Sequence, residues 1–289
     1  MAIMLLVHDG KLRYDERLTD IFPEFPAYGR TIAVYQLLNH TSGLPDYEDL
    51  MNKAGKPQPW TVTHQITDAE VLKLLEAEQR GKFAPGNHWA YSNSGYVVLG
   101  LIVAKVSGQS FPEFLHQRLF APLGMTNTVA YVKGSNEVPN RAYGHSVENG
   151  VIMETDQSPT SATLGDGGVY SSLDDLAKWD EALSRHMLLS EPEMRAALIP
   201  ALTPEGAPHW DSGPGDADPA GGRPVWYGFG WFLDPYKGHS RMWHYGETTG
   251  FKSSIQRFTN DNLSVIVLTN RSDVDAIGLS TKISDLFLK

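Results

Sequence analysis

The pattern of apolar and polar positions changes period near residue 225. Before that point apolar residues recur at helical spacing between polar loops. Residues 1–7 are apolar without a break and Gly10 offers a left-handed stop, so a helix over 1–9 is expected, already core-like where the sequence opens. Residues 69–79 carry Val71, Leu72, Leu74 and Leu75 behind Asp68 as a cap, with Gly81 just past the end. Residues 96–106 are apolar nearly all round, which predicts a helix buried in the middle of a lobe. Ser110-Phe-Pro-Glu113 and Ser172-Leu-Asp-Asp175 both have capping-box spacing, and the second starts a helix that puts Leu176, Trp179 and Leu183 on one face.

After 225 the alternation is that of strands, expected over 225–233, 239–247, 250–258 and 263–269, with Asn260-Asp261-Asn262 as a tight turn. A last helix over about 274–288 carries Ile277, Ile283, Leu286 and Phe287. Between the two regimes ten of the 22 residues 203–224 are Gly or Pro, which reads as a long loop, either a mobile lid or a solvated insertion. The expected organisation of 1–289 is α/β (α+β), with an antiparallel sheet flanked by helices beside a mainly helical lobe. The helical lobe would span about 15–200. The sheet lobe would span about 225–289, with helix 1–9 grouped with it.

Composition narrows the chemistry. Hydrophobic residues make up 41% and aromatics 10% of the 289 residues, enough to fill a core. A formal net charge of -10 repels phosphate backbones and argues against nucleic acid as a partner. With no cysteine there is no thiolate ligand, disulfide or Cys nucleophile. The longest wholly apolar run is far short of the roughly 20 residues of a membrane span. No Gly-x-Ser-x-Gly elbow, P-loop or His-Glu-x-x-His pair occurs, so neither an α/β-hydrolase, a nucleotide site nor a zinc site is expected, and no cofactor is.

Four segments remain. They are Leu37-Leu-Asn-His-Thr-Ser-Gly-Leu-Pro-Asp-Tyr47, Phe83-Ala-Pro-Gly-Asn-His-Trp-Ala-Tyr-Ser-Asn-Ser-Gly-Tyr96, Gly165-Asp-Gly-Gly-Val-Tyr-Ser-Ser-Leu-Asp-Asp-Leu176 and Trp243-His-Tyr-Gly-Glu-Thr-Thr-Gly-Phe251. Each has an ordinary structural reading. Tyr91 serves as a loop tyrosine anchoring the next helix, Ser92 and Asn93 as helix caps, and His244 as a satisfied strand histidine. His40-Thr-Ser-Gly43 is most simply a turn, and the aromatics from Trp226 to Tyr245 a hairpin core.

In this order, however, the four segments together resemble the serine β-lactamase-like family of class C type, which also contains penicillin-binding proteins, esterases and D-amino-acid peptidases. The resemblance runs from Met1 to Lys289. It implies that Tyr91 is the general acid/base, useful where neighbouring cations favour its phenolate. Asn93 would bind the substrate's amide side chain. His244-Tyr-Gly246 would line the pocket edge where other members have Lys-Thr-Gly, and the Glu247 backbone N–H would be one of two oxyanion donors. The implied partner is a small ester, amide or peptide. A neutral His244 in place of Lys tilts the expectation from β-lactams toward esters and small amides.

One departure stands out. The family's nucleophile is the Ser of Ser-x-x-Lys, and no Ser of this chain has Lys three residues on; the nearest approach is Thr249-Gly-Phe-Lys252, within a predicted strand. In family members that helix continues into a segment like residues 1–12, and two further strands and a helix precede it. The expectation is therefore that Met1 is internal to a longer serine hydrolase, with Leu263 to Thr269 left as an unpaired edge and any export signal upstream. The alternative is a catalytically inactive family member, or a fragment, that acts as a binding or interaction protein.

Overall fold

Helix α6 (Asn93–Ser107) organises the larger lobe. Val97, Val98, Ile102 and Val103 are buried, Ser92 caps its start by accepting from Gly95 N–H, and Gly108 ends it in the left-handed conformation at φ 72°. This is the continuous apolar helix the sequence predicts, begun three residues earlier. Around it pack α1 (Ala2–His8), α2 (Leu18–Ile21), α3 (Val34–Leu38), α5 (Asp68–Ala77) and α7 (Phe111–Leu115), with α4 (Tyr47–Lys53) against α5. Their apolar side chains form one cluster. Each fully buried Leu, Ile or Phe in it contributes about 1.5–3 kcal/mol of transfer free energy. The computed structural model describes residues 1–53, 55, 59–210, 218 and 221–289. The lid or insertion reading of 203–224 rests in part on residues 211–217, 219 and 220, which lie outside this set.

Two small antiparallel pairs decorate this lobe: β1 (Val129–Ala130) with β4 (Val169–Tyr170), and the hairpin of β2 (His145–Glu148) and β3 (Val151–Glu154). After α8 (Leu173–Ser184) and α9 (Glu191–Met194), the chain enters a three-stranded antiparallel sheet in the order β5 (Met242–Thr248), β6 (Phe251–Phe258), β7 (Leu263–Thr269). Helix α10 (Ala276–Ser284) covers one face, where Ser254 and Gln256 bond to Ser280 at 2.9 and 2.7 Å. On the other face Arg257 pairs with Asp180 of α8. Successive strand residues point to opposite faces, so one strand serves both layers. β7 bonds to β6 and has no second strand partner among the described residues.

The fold class is as expected, but several local expectations need correction. Residues 225–233 form no strand: the chain reverses within them, Gly228 N–H donating to Trp231 O and Leu233 N–H to Trp226 O, with Gly230 at φ 79°. A Cβ at Gly228 would lie 2.0 Å from Ala197 O, so the turn is wedged against that segment. The cap of α5 is Thr67, in a reciprocal box with Glu70, rather than Asp68. The last helix stops at Ser284, which leaves Leu286 and Phe287 exposed. Helix α1 buries Ile3, Met4, Leu5 and Leu6 in the cluster around α6, so its grouping with the sheet is replaced by membership of the helical core.

One contact couples two of the sequence segments. Gly165 lies so close to the start of α6 that a Cβ there would sit 2.1 Å from Tyr96 O, whereas Gly167 has open space. Gly165→Ala should therefore cost about 1–3 kcal/mol through forced backbone displacement. Gly167→Ala should be near neutral. Paired thermal melts check this; equal melting temperatures would contradict the contact.

Candidate active site

The site grows from a buried loop. Asn39, His40, Thr41 and Ser42 are all at most 9% exposed, between the apolar Leu38 and Leu44. His40 has φ 61° and Gly43 φ 71°, so the loop turns through two left-handed residues. Segment 82–92 is laid over it: Lys82 N–H donates to Gly43 O, Gly86 N–H to Thr41 O and Ala90 N–H to His40 O. Ser92 N–H donates to Nδ1 of the His40 ring at 3.2 Å. His40-Thr-Ser-Gly43 is thus a turn, as its composition says, but one that supports Tyr91. That support is what sequence reasoning missed; the signal was four polar residues in a row between buried leucines.

Tyr91 stands at the junction of the lobes. Its ring is 4.4 Å from His40, 5.7 Å from Trp210 and 6.3 Å from His244. Burial, reinforced by Tyr96, Tyr245, Asp166 and Asp46, pushes its phenol well above the ordinary value. No cation of the described residues figures among these influences, so this environment holds Tyr91 as a proton donor. A cation within about 4–6 Å would be needed to favour the phenolate.

His244 lies on β5. Its Nδ1–H donates to Tyr245 O at 2.7 Å, and Nε2 accepts from the Tyr227 hydroxyl at 3.0 Å. Those two bonds fix a neutral tautomer. Burial lowers its pKa to about 4, and burial followed by the proximity of His244 holds His40 well below the usual histidine range. Tyr227 sits between the histidines, 4.7 Å from the His40 ring and 6.0 Å from His244. His244 is therefore uncharged at neutral pH.

Asn93 opens α6, where its N–H donates to Asp46 Oδ2 at 2.9 Å. Ser92, not Asn93, is the cap. Gly246 and Glu247 lie farther along β5, opposite Ser253 and Lys252. Trp243 exchanges both backbone bonds with Phe232, on the side of β5 away from β6. By the two-residue alternation of antiparallel pairing, Tyr245 and Glu247 turn their backbone groups to that same side, away from β6. The Glu247 side chain is spent on Lys252, 3.1 Å away. A cavity of about 270 Å³ takes in Tyr245 and Glu247 with Asp275 and Ile277, but not Tyr91, Asn93 or His244.

Two further carboxylates of the chain are partly buried and hydrogen-bonded. Tyr47 hydroxyl donates to Asp166 Oδ2 at 3.0 Å and Leu164 N–H to Asp68 Oδ1 at 2.9 Å. Burial raises Asp166 to about 6 and Asp68 to about 7. Among the described residues no group of three or more His, Asp or Glu side chains is arranged to hold a metal ion, and no helix is long and apolar enough to cross a membrane.

Comparison with known proteins agrees with this architecture. The family model described as Beta-lactamase matches residues 1–285, and the chain belongs to that family. It is 29% identical over 286 residues to penicillin-binding protein 4* of Bacillus subtilis (strain 168), covering 94% of this chain and 58% of that protein. The chain thus spans little more than half the length of this relative. Among solved structures, the penicillin binding protein from Bacillus halodurans superposes with a TM-score of 0.78 at 28% identity, over 99% of this chain and 81% of that one. The D-amino acid amidase from Ochrobactrum anthropi SV3, complexed with L-phenylalanine amide, gives 0.75 at 25% identity over 98% and 81%.

The buried His244 makes stability pH-dependent. In the unfolded chain it titrates near 6.5 and in the fold near 4, so between those values the unfolded state holds a proton the folded state lacks. This contribution is complete above pH 6.5 and is lost as pH falls toward 4. The raised Asp68 and Asp166 act in the opposite sense, so the informative quantity is the difference between wild type and His244→Gln. That difference should grow in favour of the wild type from pH 4 to 6.5 in urea unfolding; a flat difference would mean His244 titrates normally in the fold.

Proposed function

We propose that this chain provides the substrate-binding and proton-transfer parts of a serine hydrolase that acts by acyl transfer on small amides or esters, with D-amino-acid amides as the leading class. The observation that supports this reading is the approach of Tyr91 to His244 of β5, their rings 6.3 Å apart, with Asn93 two residues on at the start of α6. Tyr91 would exchange the proton between nucleophile and leaving group. A phenol pushed upward by burial stays protonated and is a weaker acid than in water, so it would carry the proton between nucleophile and leaving amine only once a cation is brought beside it. Asn93 would hold the substrate amide, and the Glu247 N–H would face the developing oxyanion. At Gly246 a Cβ would lie 2.8 Å from Ser253 Oγ of β6, so the glycine lets the two strands pack closely there. His244, neutral and held by Tyr227 and Tyr245, would line the pocket as a polar wall and offer no charge to a substrate carboxylate. That supports amides and esters over β-lactams, as does the likeness to a D-amino acid amidase.

No serine of the chain has Lys at the third following position, and this favours a second reading, a ligand-binding member without turnover. The two separate in one experiment. The protein is purified from its own source, its intact mass compared with 32.0 kDa, and its serines labelled with a fluorophosphonate. The hydrolase reading expects a label on a serine followed three residues on by lysine, and turnover of D-phenylalanine amide or a short-chain nitrophenyl ester above that of penicillin. Tyr91→Phe should lower kcat by about 10²–10⁴-fold. An unlabelled protein that binds the amide reversibly at Tyr91 would establish the second reading instead. Rapid penicillin turnover with no amide or ester hydrolysis would reject the substrate class.

A further inference from the structure

His40 breaks two local rules at once. It is a non-glycine residue in left-handed backbone, at φ 61°, and its ring Nε2 is buried without a hydrogen-bond partner. Since Nδ1 accepts from Ser92 N–H, the neutral ring carries its proton on Nε2, and that donor is the orphan. Strained backbone and unpaired buried donors persist where the surrounding structure over-determines them, and they concentrate at functional sites.

What this strained residue does is visible in its contacts. Ala90 N–H donates to the His40 carbonyl at 3.0 Å and Ser92 N–H to the His40 ring at 3.2 Å, so the residues on both sides of Tyr91 are fastened to one amino acid. The same ring lies 4.4 Å from the Tyr91 ring, tilted by 40°. On its other contacts it meets Tyr96, Tyr227 and the edge of Trp89, so it cannot swing away. The left-handed backbone is the geometry that lets the carbonyl and the side chain of one residue reach two amides flanking a third. Any other residue type loses one of the three contacts: alanine has no acceptor, and phenylalanine has a ring without one.

We propose that His40 is the positioning residue for Tyr91, a three-point clamp that holds the phenol in place for proton transfer while itself staying neutral. This rests on the acid/base role given to Tyr91 above. His40 faces no Lys or Arg among these contacts; its titratable neighbours are Tyr91, Tyr96, Tyr227 and, through space, His244.

The test is a double-mutant cycle in the full-length protein, with an amide-exchange readout. His40→Ala should lower kcat by about 10²-fold, the order expected for a misplaced catalytic group, with KM changed less than about threefold. His40→Asn should recover most of the loss, because asparagine tolerates left-handed backbone and offers an acceptor near the Nδ1 position. In the Tyr91→Phe background His40→Ala should cost almost nothing further, as expected of residues acting as one unit. Hydrogen exchange should show the Ala90 and Ser92 amides deprotected by His40→Ala and reprotected by His40→Asn. Full kcat in His40→Ala, or the same loss with and without the Tyr91 hydroxyl, overturns the proposal. If the wild type hydrolyses neither amide nor ester, the functional reading fails on its own. The clamp is then judged by exchange alone, and unchanged protection in His40→Ala rejects it.

Discussion

The first turn of α6 is the constraint from which the rest follows. A helix start leaves four backbone N–H groups without intrahelical partners, and this one is buried, so each needs an acceptor from elsewhere. Three of the four acceptors are these: Ser92 N–H goes to the His40 ring, Asn93 N–H to the Asp46 carboxylate and Gly95 N–H to Ser92 Oγ. The acceptors belong to the loop after α3 and to the cap itself, so satisfying the helix end also fixes the path of the chain on either side. Asp46 gains as well, since a carboxylate at a helix N-terminus meets the positive end of the dipole. Tyr91, one residue before the cap, has little freedom left. Its direction follows from the accounting of amides around it.

Across the junction the sheet contributes groups of a different kind. The helical side brings rings and carboxyls whose charged forms are disfavoured by burial; β5 brings a neutral histidine and a row of backbone groups. Tyr227 joins the two, its hydroxyl on His244 and its ring against His40. The result is a site whose two histidines and Tyr91 are neutral while Asp166, raised only to about 6, keeps a carboxylate charge nearby at neutral pH. In such surroundings a single introduced charge acts strongly on every titratable group, because little water is present to screen it. No Lys or Arg of the described residues is named among the groups that act on the Tyr91 phenol, and this bears directly on what it can do.

Much of this was legible in the amino-acid sequence, for identifiable reasons. The all-round apolar run of α6, the alternation of β5 to β7 and the Ser caps at 110 and 172 are local patterns with local causes, and they sit where expected. The segments carrying Tyr91, Asn93, His244, Gly246 and Glu247 stood out because, taken in their order, they resemble the motifs of one family. Residues 225–233 misled because aromatic alternation is also what a tight reversal packed between layers looks like; Gly228 and Gly230 carried the contrary signal. The hairpin at 145–154 went unseen although Asn149-Gly150, both at positive φ, is a strong turn signature, because its strands are short and solvent-facing. The service of His40 was illegible for a deeper reason: it depends on residues about 50 positions away, and no local pattern encodes a contact of that range.

The outward-facing edge of β5 has an evolutionary side. The N–H at position 247 belongs to the main chain, so its direction is set by strand register and is indifferent to which side chain is attached. Nineteen of the twenty amino acids would leave that donor in place, and proline alone would erase it. Selection can therefore vary the side chain at 247, and with it the rim of the pocket, while the donor is inherited unchanged. A one-residue slip of β5 against β6 would turn it inward at once. In this chain the register is held by seven consecutive pairs from Met242–Arg257 to Thr248–Phe251, so the permanence of one hydrogen-bond donor is underwritten by the length of a hairpin.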